Sequence, residues 1–300
     1  MITTEFYYGQ GFGNQLAVYV TTRAIALRNG YEFGFTGLEN FGDRRYNDKG
    51  VYFMDLDLGL PVDISAITNY YKEKEYRIKL NTSQHDATIG CDIRLTDYNV
   101  LSLPDNCKID GLLQSEDYFY DYKNDIKKWL CVKPEYDIYD FSNDDVCILN
   151  IRDYEGDDTL FLSRTYWVNA INHMLSINPQ MTFAVITENP NCVKNLLPEL
   201  SDNVFHIGVG EDYSIIKNAK WLILSNSSFG YFPALTNELA KLIIAPKYWA
   251  RHNISNGYWS MGCNLYKDFI YMDRFGNLQT YDECKRELNL FINQTKIYLK

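Results

Sequence analysis

Five short apolar runs, VCILNI (146–151), TFAVIT (182–187), NVFHIGV (203–209), WLILSN (221–226) and LIIAP (242–246), alternate with helical patterns, and that alternation constrains the fold most. In the helix read over Tyr166–Asn178, Trp167, Ala170, Ile171, Met174 and Leu175 recur with helical spacing. Asn189-Pro190 opens a short helix to Leu197, and further helices are read over Asp212–Ala219 and Tyr231–Ala240. Unbroken apolar strands separated by amphipathic helices build a parallel sheet covered on both faces. The same pattern starts the chain: TTEFYY (3–8) reads as a strand, 14–28 as a helix and YEFGFT (31–36) as a strand. In that helix Asn14 is the expected N-cap, Leu16, Val20, Ala24 and Leu27 share one face, and Gly30 stops it.

The rest is less regular. Residues 37–105 are polar, tyrosine-rich and weakly periodic, and loops with short helices are expected there. KIDGLL (108–113) reads as a strand, Glu116–Leu130 as a helix, Pro134 and 141–145 as a linker, and Asp282–Leu299 as a last amphipathic helix. The expected class is α/β, with domains over 1–140 and 141–280 facing a central cleft and a terminal helix over 281–300.

The chain has 300 residues, 46% hydrophobic and 23% charged, in the globular range. Its net charge of −10 argues against nucleic acid or an anionic membrane as partner. Seven cysteines without a C-x-x-C pair read as reduced thiols, and MITTEFYYGQG lacks the basic and apolar regions of a secretory leader. No apolar run approaches the roughly 20 residues of a membrane span. A cytoplasmic location is therefore expected. Aromatic residues reach 15%, with 25 tyrosines, which suits either a sugar- or protein-binding surface or an AT-rich coding sequence.

Open parallel sheets bind ligands beyond the carboxyl ends of their strands. Those ends carry Arg152 and Asp153, then Glu188, then Gly210 and Glu211, then Ser227, Ser228 and Phe229. A guanidinium past a buried strand binds a diphosphate bidentately, or it pairs with a nearby acid such as Asp153, Glu155 or Asp157. SNSSFGYF (225–232) offers hydroxyls and N–H groups at a helix start, which suits an anion or ordinary capping. MDLDLG (54–59) contains a D-x-D but alternates like a plain strand or turn. His85, His173, His206 and His252 show no ligand spacing, Cys147 reads as core, and neither metal nor cofactor is expected. The glycines of YYGQGFGNQL (7–16) follow a strand, as in a dinucleotide site. The third small position of G-x-G-x-x-G, however, falls on Asn14 or Leu16, and no acid ends the next strand.

The segment Gly9–Leu16, reading G-x-G-x-G-N-Q-L, resembles the first motif of the α-1,2-fucosyltransferases of glycosyltransferase family 11. LLQSEDYF (112–119), LNIRDYEGDD (149–158), TENPNCVKNLL (187–197), SNSSFGYFPALTN (225–237) and IIAPKYW (243–249) are similar to later motifs of that family, in order. The resemblance implies a GT-B architecture of two Rossmann-like domains. It also implies inverting, metal-independent transfer of L-fucose from GDP-fucose to a glycan acceptor. By it, Gly11, Phe12, Gly13, Asn150, Arg152, Glu188 and the segment at Asn226 to Phe229 belong to donor binding. Arg152, Asn14 and Asp153 belong to the reaction, and Glu116, Asp117 and Asp153 are the candidate bases, the alternative being a reaction that uses no base. Two departures stand out. Asn150 replaces a histidine, and Asp153 replaces a second arginine. Alternatives are another nucleotide-sugar donor, a binding protein without catalysis, or, from the glycine loop alone, a nicotinamide-dependent oxidoreductase.

Overall fold

The computed structural model describes residues 1–42, 51–78, 92–153, 161–253 and 258–300. Strand β1 (Ile2–Glu5) feeds helix α1 (Phe12–Asn29), which returns to β2 (Phe33–Thr36), parallel to β1. With β3 (Asn69–Lys72) and β6 (Cys107–Asp110) they form a parallel sheet in the order β2-β1-β6-β3. Between β3 and β6 in sequence, β4 (Tyr76–Ile78) and β5 (Asp92–Ile93) belong to a separate small antiparallel sheet.

A second sheet begins at β7 (Val146–Asn150). Helix α3 (Arg164–Ile177), β8 (Thr182–Ile186), α4 (Pro190–Leu196) and β9 (Val204–Phe205) extend it one way. Helix α5 (Val209–Asn218) then crosses back to β10 (Trp221–Leu224), followed by α6 (Ser228–Thr236), β11 (Leu242–Pro246), β12 (Ile270–Met272) and β13 (Leu278–Thr280). The order is β13-β12-β11-β10-β7-β8-β9, parallel except for β12 with β13. The α/β class read from sequence is therefore the class observed, and the direction of winding reverses between β7 and β10.

Alternation along these strands assigns their two faces to different cores. Cys147, Leu149, Val185, Ile223 and Ile244 pack with Tyr166, Trp167 and Met174 of α3 and Val193 of α4. Ile148, Ile186, Leu222, Leu224 and Ala245 face Tyr213 and Ile216 of α5 and Tyr231 and Phe232 of α6. This second core continues without a break through α1 to Ile2, Phe35 and Ile109 of the first sheet. Helix α1 is thus covered on most sides, not along the single face read from sequence, and Leu27 of that face is 53% exposed.

Several boundaries differ from the sequence reading. The N-cap of α1 is Gly11 rather than Asn14, while Gly30 closes the helix in the left-handed conformation as expected. Glu116–Leu130 is not one helix: tight turns precede the helix α2 (Lys123–Trp129). Tyr118 and Phe119 are both fully buried, and successive residues cannot share one helical face. The strand read over 203–209 is confined to Val204–Phe205, because Asp212 accepts Ile207 N–H (3.1 Å) and turns the chain into α5. Gly210 and Glu211 therefore stand in the first turn of a helix. Helix α6 starts three residues before Tyr231 and stops at Thr236, where Asn237 Oδ1 accepts Leu239 and Ala240 N–H. The last helix, α7 (Tyr281–Gln294), opens with a Thr280–Glu283 capping box but ends early. Ile297–Leu299 instead form β14, antiparallel to β4. The region 37–105, read as loops and short helices, contains β3, β4 and β5 as well.

The two sheets are joined most closely where α1 meets α6. A Cβ at Gly13 would overlap Phe229 N and the Ser228 carbonyl carbon and lie 2.7 Å from Ser228 O. No side chain fits between these backbones. Gly13→Ala should lower the unfolding temperature in a calorimetric scan, with overpacking costing about 1–3 kcal/mol. Helix propensity alone favours Ala by about 1 kcal/mol, so a raised temperature would show that the close approach is not required.

Candidate active site

Asn150 ends β7, and its carbonyl accepts Ser225 N–H (3.0 Å) just past β10. The loops that leave these two strands flank the point where the winding reverses, the usual ligand position in such sheets. Asn150 is 5% exposed and Ser225 1%, yet among the described residues neither Asn150 Oδ1 nor Ser225 Oγ has a hydrogen-bond partner. Buried polar atoms are costly when left unmatched. Gly230, in the first turn of α6, has no Cβ because one would overlap Asn150 Oδ1.

Ser227 is the N-cap of α6, but its side chain makes no capping hydrogen bond. Gly11 likewise caps α1 without a side chain. The N-terminal ends of two helices, each carrying partial positive charge and unshared N–H groups, thus meet at Gly13 and Ser228. Asn14 Oδ1 bridges them. It accepts Ser228 Oγ–H at 2.6 Å and Gln114 Nε2–H at 2.6 Å. Phe12 beside it is enclosed and packs edge-on to Phe53.

The neighbouring strand ends hold a second cluster. Arg152 forms an ion pair with Glu188, which follows β8. Both are among the donor-side residues read from sequence, and the acids weighed as alternative partners of Arg152 are Asp153, Glu155 and Asp157. Of those, Glu155 and Asp157 lie outside the described residues. Asp153 Oδ2 accepts Asn189 Nδ2–H at 2.6 Å, while Asn189 Oδ1 caps α4 through Asn191 N–H. Asn14, Gly13, Asn226, Ser227 and Asn150 are therefore brought to the crevice between β7 and β10, with Arg152, Asp153 and Glu188 between β7 and β8.

Other candidates separate from these. Asp55 pairs with Lys133 and Asp57 with Arg23, so the D-x-D carboxylates turn to different cations. His85 lies outside the described residues. His206 Nδ1 sits 2.7 Å from Asp212 Oδ2. Burial pushes the Asp212 carboxyl up, against the hydrogen bond from His206. Tyr52 O–H donates to Glu211 Oε2 (2.7 Å) and Tyr52 accepts Gly210 N–H (3.1 Å), tying α5 to the first half. Sequence reasoning missed Gln114 and Asn189 as site residues. Gln114 lies in the LLQSEDYF segment, but its partner Asn14 is 100 positions away, and no local pattern reports that distance.

No family model matches this chain, and no curated protein matches it. Among solved structures, it is similar to NodZ alpha-1,6-fucosyltransferase soaked with GDP-fucose, at 13% identity and TM-score 0.46, covering 82% of this chain and 94% of that one. Fucosyltransferase NodZ from Bradyrhizobium gives 13% identity and TM-score 0.48 over 80% and 94% of the two chains. NodZ alpha-1,6-fucosyltransferase co-crystallized with GDP gives 12% and 0.46 over 92% and 97%. These are distant likenesses.

The carboxylates Glu116 and Asp117 are engaged elsewhere. Burial raises the Asp117 carboxyl, but Lys285 at 3.1 Å and hydrogen bonds from Tyr98 and Thr96 outweigh it and hold it low. Glu116 is fully enclosed, and Lys267 N–H donates to its Oε2 (2.8 Å) while Oε1 has no partner among the described residues. Burial first, and Asp268 next among the raising influences, push its carboxyl up to about 7. A carboxyl raised in the folded state stabilises fully below its unfolded value, near 4.5, and loses that stability as pH rises to about 7. Burial pushes His252 down to about 4, which acts in the opposite sense. Glu116→Gln keeps the acceptor for Lys267 and removes the ionisation. Its advantage over the native protein should grow from about pH 4.5 to about pH 7.5 and reach about 3 kcal/mol. Denaturant titrations at several pH values measure this, and a pH-independent difference would contradict it.

Proposed function

We propose that this chain is a glycosyltransferase of the fucosyltransferase superfamily, resembling family 11, that transfers L-fucose from GDP-fucose to a glycan hydroxyl. The observation that carries the reading is the meeting of two helix N-termini beside a sheet crossover, where the buried atoms Asn150 Oδ1 and Ser225 Oγ have no hydrogen-bond partner among the described residues. Such a place suits an anion. The ordered sequence motifs make that anion a nucleotide-sugar diphosphate. Outward from β7, the order β9-β8-β7-β10-β11-β12 matches the 3-2-1-4-5-6 arrangement of nucleotide-binding sheets, which supports a GT-B reading with the donor on the second half. The domains proposed are 1–140, 141–280 and a C-terminal segment 281–300.

In the proposed reaction the acceptor oxygen bonds to the sugar C1 as the bond from C1 to the β-phosphate oxygen breaks. The electron pair leaves with GDP, and the anomeric configuration inverts. No metal is assigned a part. Arg152, released from Glu188 by the stronger claim of a diphosphate, and the N–H groups of α6 stabilise the departing charge. Asn14 faces the same oxygens from the other helix. Asp153, oriented by Asn189, takes the acceptor proton, since Glu116 is enclosed and Asp117 is paired with Lys285. Asn150 in place of histidine bears on the base of the donor, so a second nucleotide sugar is the main competing reading.

The glycine loop serves packing in this reading. A pyrophosphate would approach Gly13 in a dinucleotide site, but the Ser228–Phe229 backbone already does so. A panel of GDP-, UDP- and dTDP-sugars, scored by nucleotide release with and without acceptor glycans, tests the assignment. Release from GDP-fucose is expected, and turnover of none of them would overturn the reading. Arg152→Ala should lower turnover roughly 100-fold, about 3 kcal/mol in the barrier. Asn14→Ala should reduce transfer more than it reduces calorimetric GDP affinity. Equal losses would make Asn14 a binding residue only.

A further inference from the structure

We infer that Gln114 is a positioning residue for Asn14, fixing which end of its carboxamide faces the crevice; the inference rests on the transferase reading above. Four side chains form a polar chain with one direction of donation. Cys263 Sγ–H points to Asn264 Oδ1 (3.7 Å), Asn264 Nδ2–H to Gln114 Oε1 (3.4 Å), and Gln114 Nε2–H to Asn14 Oδ1 (2.6 Å). Ser228 Oγ–H reaches the same Asn14 oxygen. Gln114 is 7% exposed and Asn264 4%, so water does not compete freely for these bonds.

Asn14 Oδ1 therefore has both lone pairs engaged. A turned-over amide would set Asn14 Nδ2 against Gln114 Nε2, donor against donor. The Asn14 NH2 group, with two N–H donors, is the end left to meet a ligand. Ser228 has one hydroxyl proton, and it stands at the N-terminus of α6, where the diphosphate is placed. When a phosphate oxygen accepts that hydrogen bond, Ser228 no longer donates to Asn14, and Gln114 alone holds the amide. Gln114 then matters most in the loaded enzyme, without touching donor or acceptor itself.

Two variants and two readouts test this. Gln114→Met keeps the volume and removes the donor. Gln114→Glu, assayed at about pH 8 where a carboxylate is ionised, presents an acceptor and favours the turned amide. Both are expected to lower kcat for GDP-fucose transfer tenfold or more, with Gln114→Glu the worse. Calorimetric GDP affinity should stay within threefold, and the unfolding temperature of Gln114→Met should stay within a few degrees. Parallel losses of GDP affinity and kcat would make Gln114 merely structural and overturn the inference. The second readout uses the side-chain amide signals of Asn14 in protein labelled with 15N at asparagine. On GDP addition they should shift in the native protein and fail to shift in Gln114→Glu. Identical responses in both proteins would overturn the inference whatever the kinetics. A native protein that shows the Asn14 shift and its loss in the variant, yet turns over no nucleotide sugar, would support the positioning and defeat the transferase reading.

Discussion

The approach of two backbones at Gly13 and Ser228–Phe229 is the contact on which the arrangement of this molecule depends. Helix α1 belongs to the first sheet and α6 to the second, and each is uncapped by a side chain where they meet. Like ends of two helix dipoles repel one another. Their close approach therefore needs compensation, and Asn14 supplies part of it by placing one carbonyl oxygen against a donor from each side. The same concentration of positive ends makes the place suitable for phosphate. One geometry thus sets the packing and the proposed place for phosphate.

Around that contact the apolar core is continuous. Phe12, Phe53, Tyr213 and Phe229 form a chain of edge and tilted ring contacts from α1 to α5 and α6. Phe119 packs against Phe232 and Tyr266, carrying the core across on another side. Polar ties follow the same seam, with Lys127 to Glu238 and Lys123 to Asp268 at its exposed margin. Exposed pairs of this kind contribute little each. The aromatic seam is the larger attachment between the halves.

The second sheet was legible because buried parallel strands such as ILN at 148–150 and LIL at 222–224 are unbroken buried runs, and their ends name the crevice residues directly. The first half was less so. Strand β3 alternates partly buried and exposed tyrosines and asparagine at low contrast, and β4 and β5 are too short for a period to emerge. Helix α1 misled differently. A helix enclosed between a sheet and another helix has no polar face to define its period. Gly13 and Asn14 were legible as a motif, but their partners Gln114 and Ser228 come from distant elements. The Arg152–Glu188 pair joins the ends of two strands, so sequence marked both residues without marking that they touch.

The strand β14 has a consequence for how the protein is made. Lys300, beside it, pairs with Asp92 across 208 positions of sequence, and the strand itself completes a sheet begun by β4 in the first half. A chain synthesised in order must hold the β4 edge open until the second half has been made. Contacts so far apart in sequence slow folding and expose strand edges meanwhile. The half that is made first cannot be the half that finishes first.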